Sequence, residues 1–107
     1  MLTKKQVTGI KSGLSGEMTG FPLVFQALGD PGRFNIFKLL MNHHDICVTD
    51  IANVFNITVS AASQQLRVLE RLGLVIRIRM GQMVCYEINR DNAIAKQLVK
   101  FINESPK

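Results

Sequence analysis

The chain has 107 residues, of which 47% are hydrophobic and 20% are charged. This length fits one folded domain, and the absence of a low-complexity tract excludes an intrinsically disordered chain. Thirteen Lys and Arg against eight Asp and Glu give a net charge of +5 at pH 7, which favours a polyanionic partner such as nucleic acid. No apolar run approaches the ~20 residues of a membrane span, and the start lacks the apolar centre of a secretory signal, so we expect a cytoplasmic protein with no membrane partner.

Two cysteines, Cys47 and Cys85, are too few for a disulfide framework. Because a reducing cytoplasm disfavours structural bridges, we predict that they are not paired. Cys85 is interpreted as a packing residue of a β-prone segment. Cys47 stands at a predicted helix start, which favours the thiolate form, and it is interpreted as a small, partly buried residue with a sensor thiol as the alternative. Redox sensing through either cysteine stays open.

The N-terminal part of the chain divides into an arm and two helices. Residues 1–16 mix Lys, Gly, Ser and Thr without a sustained apolar period, which predicts a flexible basic arm or a frayed helix ahead of a domain over 17–107. Residues 17–28 are apolar on more than one face, which predicts a helix that packs partly on a partner subunit. Asp30 then supplies a capping carboxylate for a helix over 31–41.

Two short helices follow in close succession. Apolar residues at i, i+3, i+4 and i+7 over 48–55 predict the first of them. Asn56 ends it, since asparagine tolerates the left-handed conformation, and Thr58 caps a second helix over 59–72. Two helices separated by about three residues cannot lie in line, so this pattern predicts a helix-turn-helix.

The second of these helices has two distinct faces. At about 100° per residue, Ala62, Leu66 and Leu69 form an apolar face, and the opposite face is polar and basic. Small residues near its start allow it to enter a DNA major groove, which is about 12 Å wide. We therefore predict a recognition helix that reads bases through Ser60, Ala61, Ser63, Gln64 and Arg67.

Residues 75–80 and 83–88 are β-prone segments joined at Gly81, which predicts a hairpin. Alternation along the first strand places Val75, Arg77 and Arg79 on one face and Ile76, Ile78 and Met80 on the other, which we expect to pack on the helices. The hairpin is a wing beside the recognition helix, and positive charge is concentrated on both elements. The further predicted DNA contacts are Arg71, Arg77, Arg79 and Gln82.

The chain ends in a predicted helix over 89–103, with Asp91 as an acid in its first turn and an apolar stripe that little of the remaining chain can cover. We expect this stripe to bury against a second copy. The predicted fold is therefore mainly α with a small β-hairpin, a homodimeric winged helix-turn-helix of order α-α-α-α-β-β-α. The predicted dimer interface consists of Phe21, Val24, Phe25, Ile94, Leu98, Phe101 and Ile102.

Three segments, LGDPGRFNIFKLL (28–40), DICVTDIANVFNITVSAASQQLRVLERLGLV (45–75) and IRIRMGQMVCYEI (76–88), follow one another almost without interruption. Together they resemble the ArsR/SmtB family of bacterial and archaeal repressors. The resemblance implies a homodimer formed by the first and last helices, two recognition helices in successive major grooves of a double-stranded operator, and repression that is relieved by an inducer.

Many members of that family sense metals, but this sequence departs from both familiar metal sites. The thiol site carries further cysteines beside the position of Cys47, and here Thr49 stands two residues later. The site on the last helix needs an acid, two histidines and a glutamate. If Asp91 is its first ligand, the later positions fall on Ala93, Glu104 and Lys107. We therefore predict no metal and no other cofactor, and the effector stays unknown.

One other class of function remains as an alternative to a DNA-binding repressor. A winged helix can instead be a protein-interaction module whose basic face meets an acidic partner. An enzyme is not predicted, because no nucleophile, base and orienting group occur together and no glycine-rich phosphate loop is present.

Overall fold

A computed structural model of the chain describes residues 1–14 and 20–105. The class is mainly α with a small sheet, as predicted, and the winged helix-turn-helix is present over residues 48–88. The elements of the described residues are α1 (Lys4–Leu14), α2 (Gly20–Leu28), α3 (Pro31–Asn42), β1 (Ile46–Cys47), α4 (Val48–Phe55), α5 (Val59–Arg71), β2 (Val75–Met80), β3 (Met83–Ile88) and α6 (Ala93–Glu104).

The N-terminal segment contains helix α1, where the sequence pattern predicts a flexible basic arm or a frayed helix. A reciprocal capping pair starts this helix: the backbone N–H of Gln6 donates to Thr3 Oγ1 at 3.1 Å, and that of Thr3 donates to Gln6 Oε1 at 2.8 Å. The apolar period that signals a packed helix is weak in this segment, and no described residue of α1 is buried. The predicted start of the next helix, at residue 17, falls on residues 15–19, which lie outside the described residues.

The predicted helix ends around the helix-turn-helix are confirmed. Asp30 caps α3, its Oδ2 accepting from the backbone N–H of Arg33 at 3.0 Å. Asn56 ends α4 in the left-handed region, with φ 53° and ψ 48°. Thr58 caps α5, its Oγ1 accepting from the backbone N–H of Ala61 at 3.0 Å. Local polar groups therefore set both ends of the turn between the two helices.

The sheet has three antiparallel strands in the order β1-β3-β2. Strand β1 was not predicted, because two residues are too few to show an alternating pattern. The apolar face of β2 also differs from the prediction: Ile76 and Met80 are exposed and Ile78 is only half-buried, whereas Val75 is buried. The face of β2 that turns toward the helices is the opposite one: Val75 joins the core, and Arg77 on the same face pairs with Glu70 of α5.

One hydrophobic core joins α3, α4, α5 and the base of the hairpin. The predicted inner face of α5 is confirmed, since Ala62, Leu66 and Leu69 are fully buried. The last helix begins later than predicted: Asn92 is its N-cap and accepts from the backbone N–H of Ala95 at 2.9 Å. Asp91 precedes the helix and is not an acid of its first turn. No helix among the described residues is long and apolar enough to cross a membrane.

Replacing Gly73 by Ala is expected to lower the free energy of unfolding by about 1–3 kcal/mol. Gly73 has a φ of +76°, and a Cβ there would lie 2.9 Å from Nδ2 of Asn92, the residue that caps α6. Urea unfolding followed by circular dichroism measures the change. The matched control is Gly9→Ala, at a helical position with open space around it. An equal effect of both variants would contradict the assigned role of Gly73.

Candidate functional site

Helix α5 is held in place by polar contacts as well as by its buried face. Arg33 Nη1 donates to Gln65 Oε1 at 3.0 Å, and Gln65 Nε2 lies 3.4 Å from Asp30 Oδ2. The same guanidinium donates through Nε to the carbonyl oxygen of Ala27 at 2.8 Å. These bonds connect α5 to the end of α2 and the start of α3, and so they fix the direction in which its outer face points.

A cavity of about 330 Å³ lies between the start of α4, the outer face of α5 and the hairpin. It brings together four of the predicted DNA contacts: Ser63 and Arg67 from α5, and Arg77 and Gln82 from the hairpin. The α5 residues and the hairpin residues are far apart in the sequence, and the packing of the wing places them around one concave surface. The other lining residues are Cys47, Val48, Thr49, Val59, Met83, Val84 and Tyr86.

The remaining predicted DNA contacts lie outside this cavity. Ser60 and Gln64 are exposed on α5, and helical spacing places them on the same face as Arg67. Ala61 is half-buried and Arg79 is exposed on β2. Arg71 is exposed too, but it lines a separate depression beside α2 together with Leu23, Gln26 and Arg33. The structure therefore does not bring Arg71 together with the arginines of the cavity.

Charges around the cavity are mostly unpaired and positive. Arg77 Nε lies 3.9 Å from Glu70 Oε2, and both side chains are accessible to solvent, so this pair is weak. Burial raises the pKa of Tyr86, Glu70 raises it further, and Arg77 and Arg67 lower it. The phenol is therefore neutral at physiological pH and leaves the charge of the arginines uncompensated. Tyr86 was missed in the sequence, because only the sheet register brings it to the cavity wall.

The two cysteines form a disulfide, so the prediction that they are not paired is wrong. Cys47 and Cys85 are directly opposite each other in the β1–β3 pairing, with their Cα atoms 3.6 Å apart. Cys47 is also the N-cap of α4, where its backbone N–H donates to Asp50 Oδ2 at 2.9 Å. The pairing depends on the register of an unpredicted strand, and the spacing of the cysteines in the sequence contains no signal for it.

A second, apolar groove of about 240 Å³ lies between α2 and α6. Phe25 and Phe101 stand at this groove with 63% and 71% of their surface exposed, whereas Val24 is buried within its own chain. Ile102 is half-buried and lines a different depression, beside α3. The groove contains six of the seven residues predicted for the dimer interface: Phe21, Val24, Phe25, Ile94, Leu98 and Phe101.

Comparison with known proteins finds similarity to transcriptional regulators. Residues 30–77 match the model of the family described as bacterial regulatory protein, arsR family. The chain is 36% identical over 77 residues to a cadmium resistance transcriptional regulatory protein CadC homolog of Staphylococcus aureus, covering 72% of this chain and 62% of that protein. It is 36% identical over 66 residues to the transcriptional repressor SdpR of Bacillus subtilis, covering 62% of this chain and 72% of that protein.

The chain belongs to the ArsR family. A homodimeric winged helix-turn-helix DNA-binding domain from Mycobacterium bovis, Mb0332, has the same fold, with a TM-score of 0.70 and 26% identity over 87% of this chain and 81% of that one. The chain spans between 54% and 62% of the length of the CadC proteins that it matches.

At the positions of the two familiar ArsR-family metal sites, this chain does not carry the full set of ligands. Thr49 lines the cavity next to a cysteine that is already bonded to Cys85. Asp91 precedes α6, Ala93 is its first residue and Glu104 its last, and Lys107 lies outside the described residues. Among the described residues, no three His, Cys, Asp or Glu side chains lie close enough together to hold a metal ion.

Proposed function

We propose that this ArsR-family chain is a homodimeric transcriptional repressor that binds double-stranded operator DNA through α5 and the wing. The observation that supports the proposal is the convergence of Arg67 on α5 with Arg77 on the hairpin at one concave surface. Arg67 and Arg77 belong to different elements, so their meeting at one surface is not the result of a run of basic residues in the sequence. A convex duplex edge fits a concave surface with two guanidinium groups, and phosphates are their natural partners.

The outer face of α5 is proposed to read sequence. Small residues at its start, Ser60, Ala61 and Ser63, allow the helix to approach the floor of the major groove. Gln64 and Arg67 follow on the same face and have side chains long enough to reach base edges, glutamine to adenine and arginine to guanine. Specificity would come from α5, and affinity from phosphate contacts of Arg77, Arg79 and the hairpin tip at Gln82.

A second copy is proposed to cover the groove between α2 and α6. The rings of Phe21 and Phe25 lie 6.2 Å apart, and together with Phe101 they expose an apolar surface that one isolated chain leaves in contact with water. A two-fold axis through this surface would bury it on both copies. The dimer would present two α5 helices to successive major grooves, about 34 Å apart. Access to chromosomal DNA requires a cytoplasmic location.

Arg67→Ala is expected to weaken binding to the operator by about 1–3 kcal/mol, equivalent to roughly 5- to 150-fold, because it removes a base contact that scrambled DNA cannot replace. Fluorescence anisotropy with DNA from upstream of the gene and a scrambled duplex of equal length measures the ratio. Gln64→Ala tests the neighbouring base contact in the same way.

The matched control is Arg90→Ala, an exposed arginine on the loop before α6. It removes the same charge at a separate depression outside the cavity, so it should change neither the affinity nor the discrimination between the two duplexes. Discrimination that persists in both α5 variants would show that α5 does not read bases. Absence of salt-dependent duplex binding by the wild-type chain would favour a protein-interaction module instead.

A further inference from the structure

The Cys47–Cys85 disulfide closes a loop that contains the helix-turn-helix and the first strand of the wing. The two cysteines are 38 positions apart, and α4, α5 and β2 lie between them. Apart from the disulfide, strand β1 joins β3 through only two residue pairs, Ile46 with Tyr86 and Cys47 with Cys85. The bond is therefore a direct covalent cross-link between the start of the helix-turn-helix and the wing.

The two sulfur atoms differ in their access to the cavity. Cys47 lines the cavity and is 7% exposed, whereas Cys85 does not line it and is 1% exposed. A small molecule in the cavity would therefore meet Cys47 first. The described residues that line this cavity include two arginines, Arg67 and Arg77, and no carboxylate. The cavity lining therefore favours an anionic reagent, although the Asp50 carboxylate accepts from the Cys47 backbone N–H outside that lining.

We propose that this disulfide is a site of thiol–disulfide exchange with an anionic low-molecular-weight thiol that enters through the cavity, and that opening the bond weakens operator binding. The first part concerns the chemistry of the cavity alone. The second part rests on the function proposed above.

The exchange proceeds in two balanced steps. The thiolate of the small molecule, RS⁻, attacks Cys47 Sγ; a mixed disulfide Cys47–S–SR forms, and Cys85 leaves as a thiolate. A second RS⁻ attacks the sulfur of the bound R group, which releases RSSR and leaves Cys47 as a thiolate. The two protons lost by the two RSH molecules are taken up by the protein thiolates. Two RSH are oxidised to RSSR, and one disulfide is reduced to two thiols.

Opening the bond changes how firmly the wing is held against α5. In the closed form the guanidinium groups of Arg67 and Arg77 face one cavity, as a curved DNA surface requires. After reduction the arrangement is held by the short β1–β3 pairing, the buried residues of the hairpin and the weak Arg77–Glu70 pair, without a covalent cross-link. The hairpin then samples more orientations, so DNA binding must order it again and the affinity falls.

Reaction of the oxidised protein with reduced glutathione, which is anionic, tests the exchange. Acid quenching followed by peptide mapping should find the glutathione adduct on Cys47, and native Cys85→Ser treated with oxidised glutathione should accumulate the same adduct. Cys47→Ser should accumulate none on Cys85 under native conditions. An adduct mainly on Cys85, or a disulfide that is inert to millimolar glutathione in the folded protein, would overturn the proposal.

The role of charge has a separate readout. Arg77→Gln should slow reduction by glutathione several-fold more than reduction by 2-mercaptoethanol, because the attacking glutathione thiolate carries two carboxylates and the 2-mercaptoethanol thiolate carries no further charge. The ratio of the two rates excludes a general effect of the substitution on folding. Arg90→Gln is the control and should leave the ratio unaltered. An unchanged ratio in Arg77→Gln would overturn the assignment of an anionic partner.

Operator binding by oxidised and reduced protein tests the coupling, and we expect about 5-fold weaker binding or more after reduction. The Cys47→Ser/Cys85→Ser double variant should show no response to the reductant. Equal or tighter binding by the reduced wild-type chain would overturn the coupling. Failure of both forms to bind any duplex would instead contradict the proposed function, while the exchange remains measurable by peptide mapping.

Discussion

Reduction of the Cys47–Cys85 disulfide is expected to lower the free energy of unfolding by about 4 kcal/mol in the chain-entropy description of a cross-link. The bond joins residues 38 positions apart, so it removes a large closed loop from the conformations of the unfolded chain. Both cysteines are buried in the folded chain. The chain-entropy description assigns the change to the unfolded state. Urea unfolding with and without a phosphine reductant, at one protein concentration, measures it.

The control for this prediction is the Cys47→Ala/Cys85→Ala variant. Its packing is altered, but its stability should be the same with and without the reductant, since no bond remains to be cleaved. If the stability of the wild-type chain also fails to respond, the two cysteines are not bonded in solution. If reduction changes the m-value while the midpoint stays nearly the same, the compactness of the unfolded chain has changed.

Phe101→Ala is expected to weaken the homodimer by about 4 kcal/mol, or roughly 10³-fold in the dissociation constant. Phe101 is 71% exposed in one chain and stands at the groove between α2 and α6. Burial of a phenylalanine side chain contributes about 2 kcal/mol, and a two-fold interface contains the residue twice. Sedimentation equilibrium measures the dissociation constant, and operator affinity should fall with it because a monomer contacts only one half-site.

Val54→Ala is the matched control for this substitution. Val54 is an exposed apolar residue of α4, away from the groove between α2 and α6. Its truncation should leave the dissociation constant within about twofold of the wild-type value, since surface changes outside an interface are usually small. A dimer that withstands Phe101→Ala but not Val54→Ala would place the interface on the other side of the molecule.

Much of the fold was predictable because its signals are local. The caps Asp30 and Thr58 and the left-handed Asn56 act within a few residues of their own positions, and all three are where the pattern places them. The capping pair of Thr3 and Gln6 is just as local, but the apolar period of α1 is too weak to indicate a packed helix there. Helix α6 starts late, at Ala93, because Asn92, and not Asp91, provides the cap.

The candidate site was predictable in part. The outer face of α5 follows from helical periodicity, so the sequence alone is enough to assign Gln64 and Arg67 to it. Whether a given arginine faces that surface is a tertiary property. Arg77 converges with Arg67 at the cavity, whereas Arg71, on the same helix as Arg67, lines a depression beside α2.

The sequence by itself determined the order of the helices, the helix-turn-helix, the hairpin and the basic face of α5, because each depends on residues close together in the chain. The tertiary structure alone decided the register of β1 against β3, and with it the Cys47–Cys85 bond and the position of Tyr86. It also decided that Val24 is covered by its own chain while Phe101 is not. These outcomes depend on contacts between distant segments, whose packing no local periodicity records.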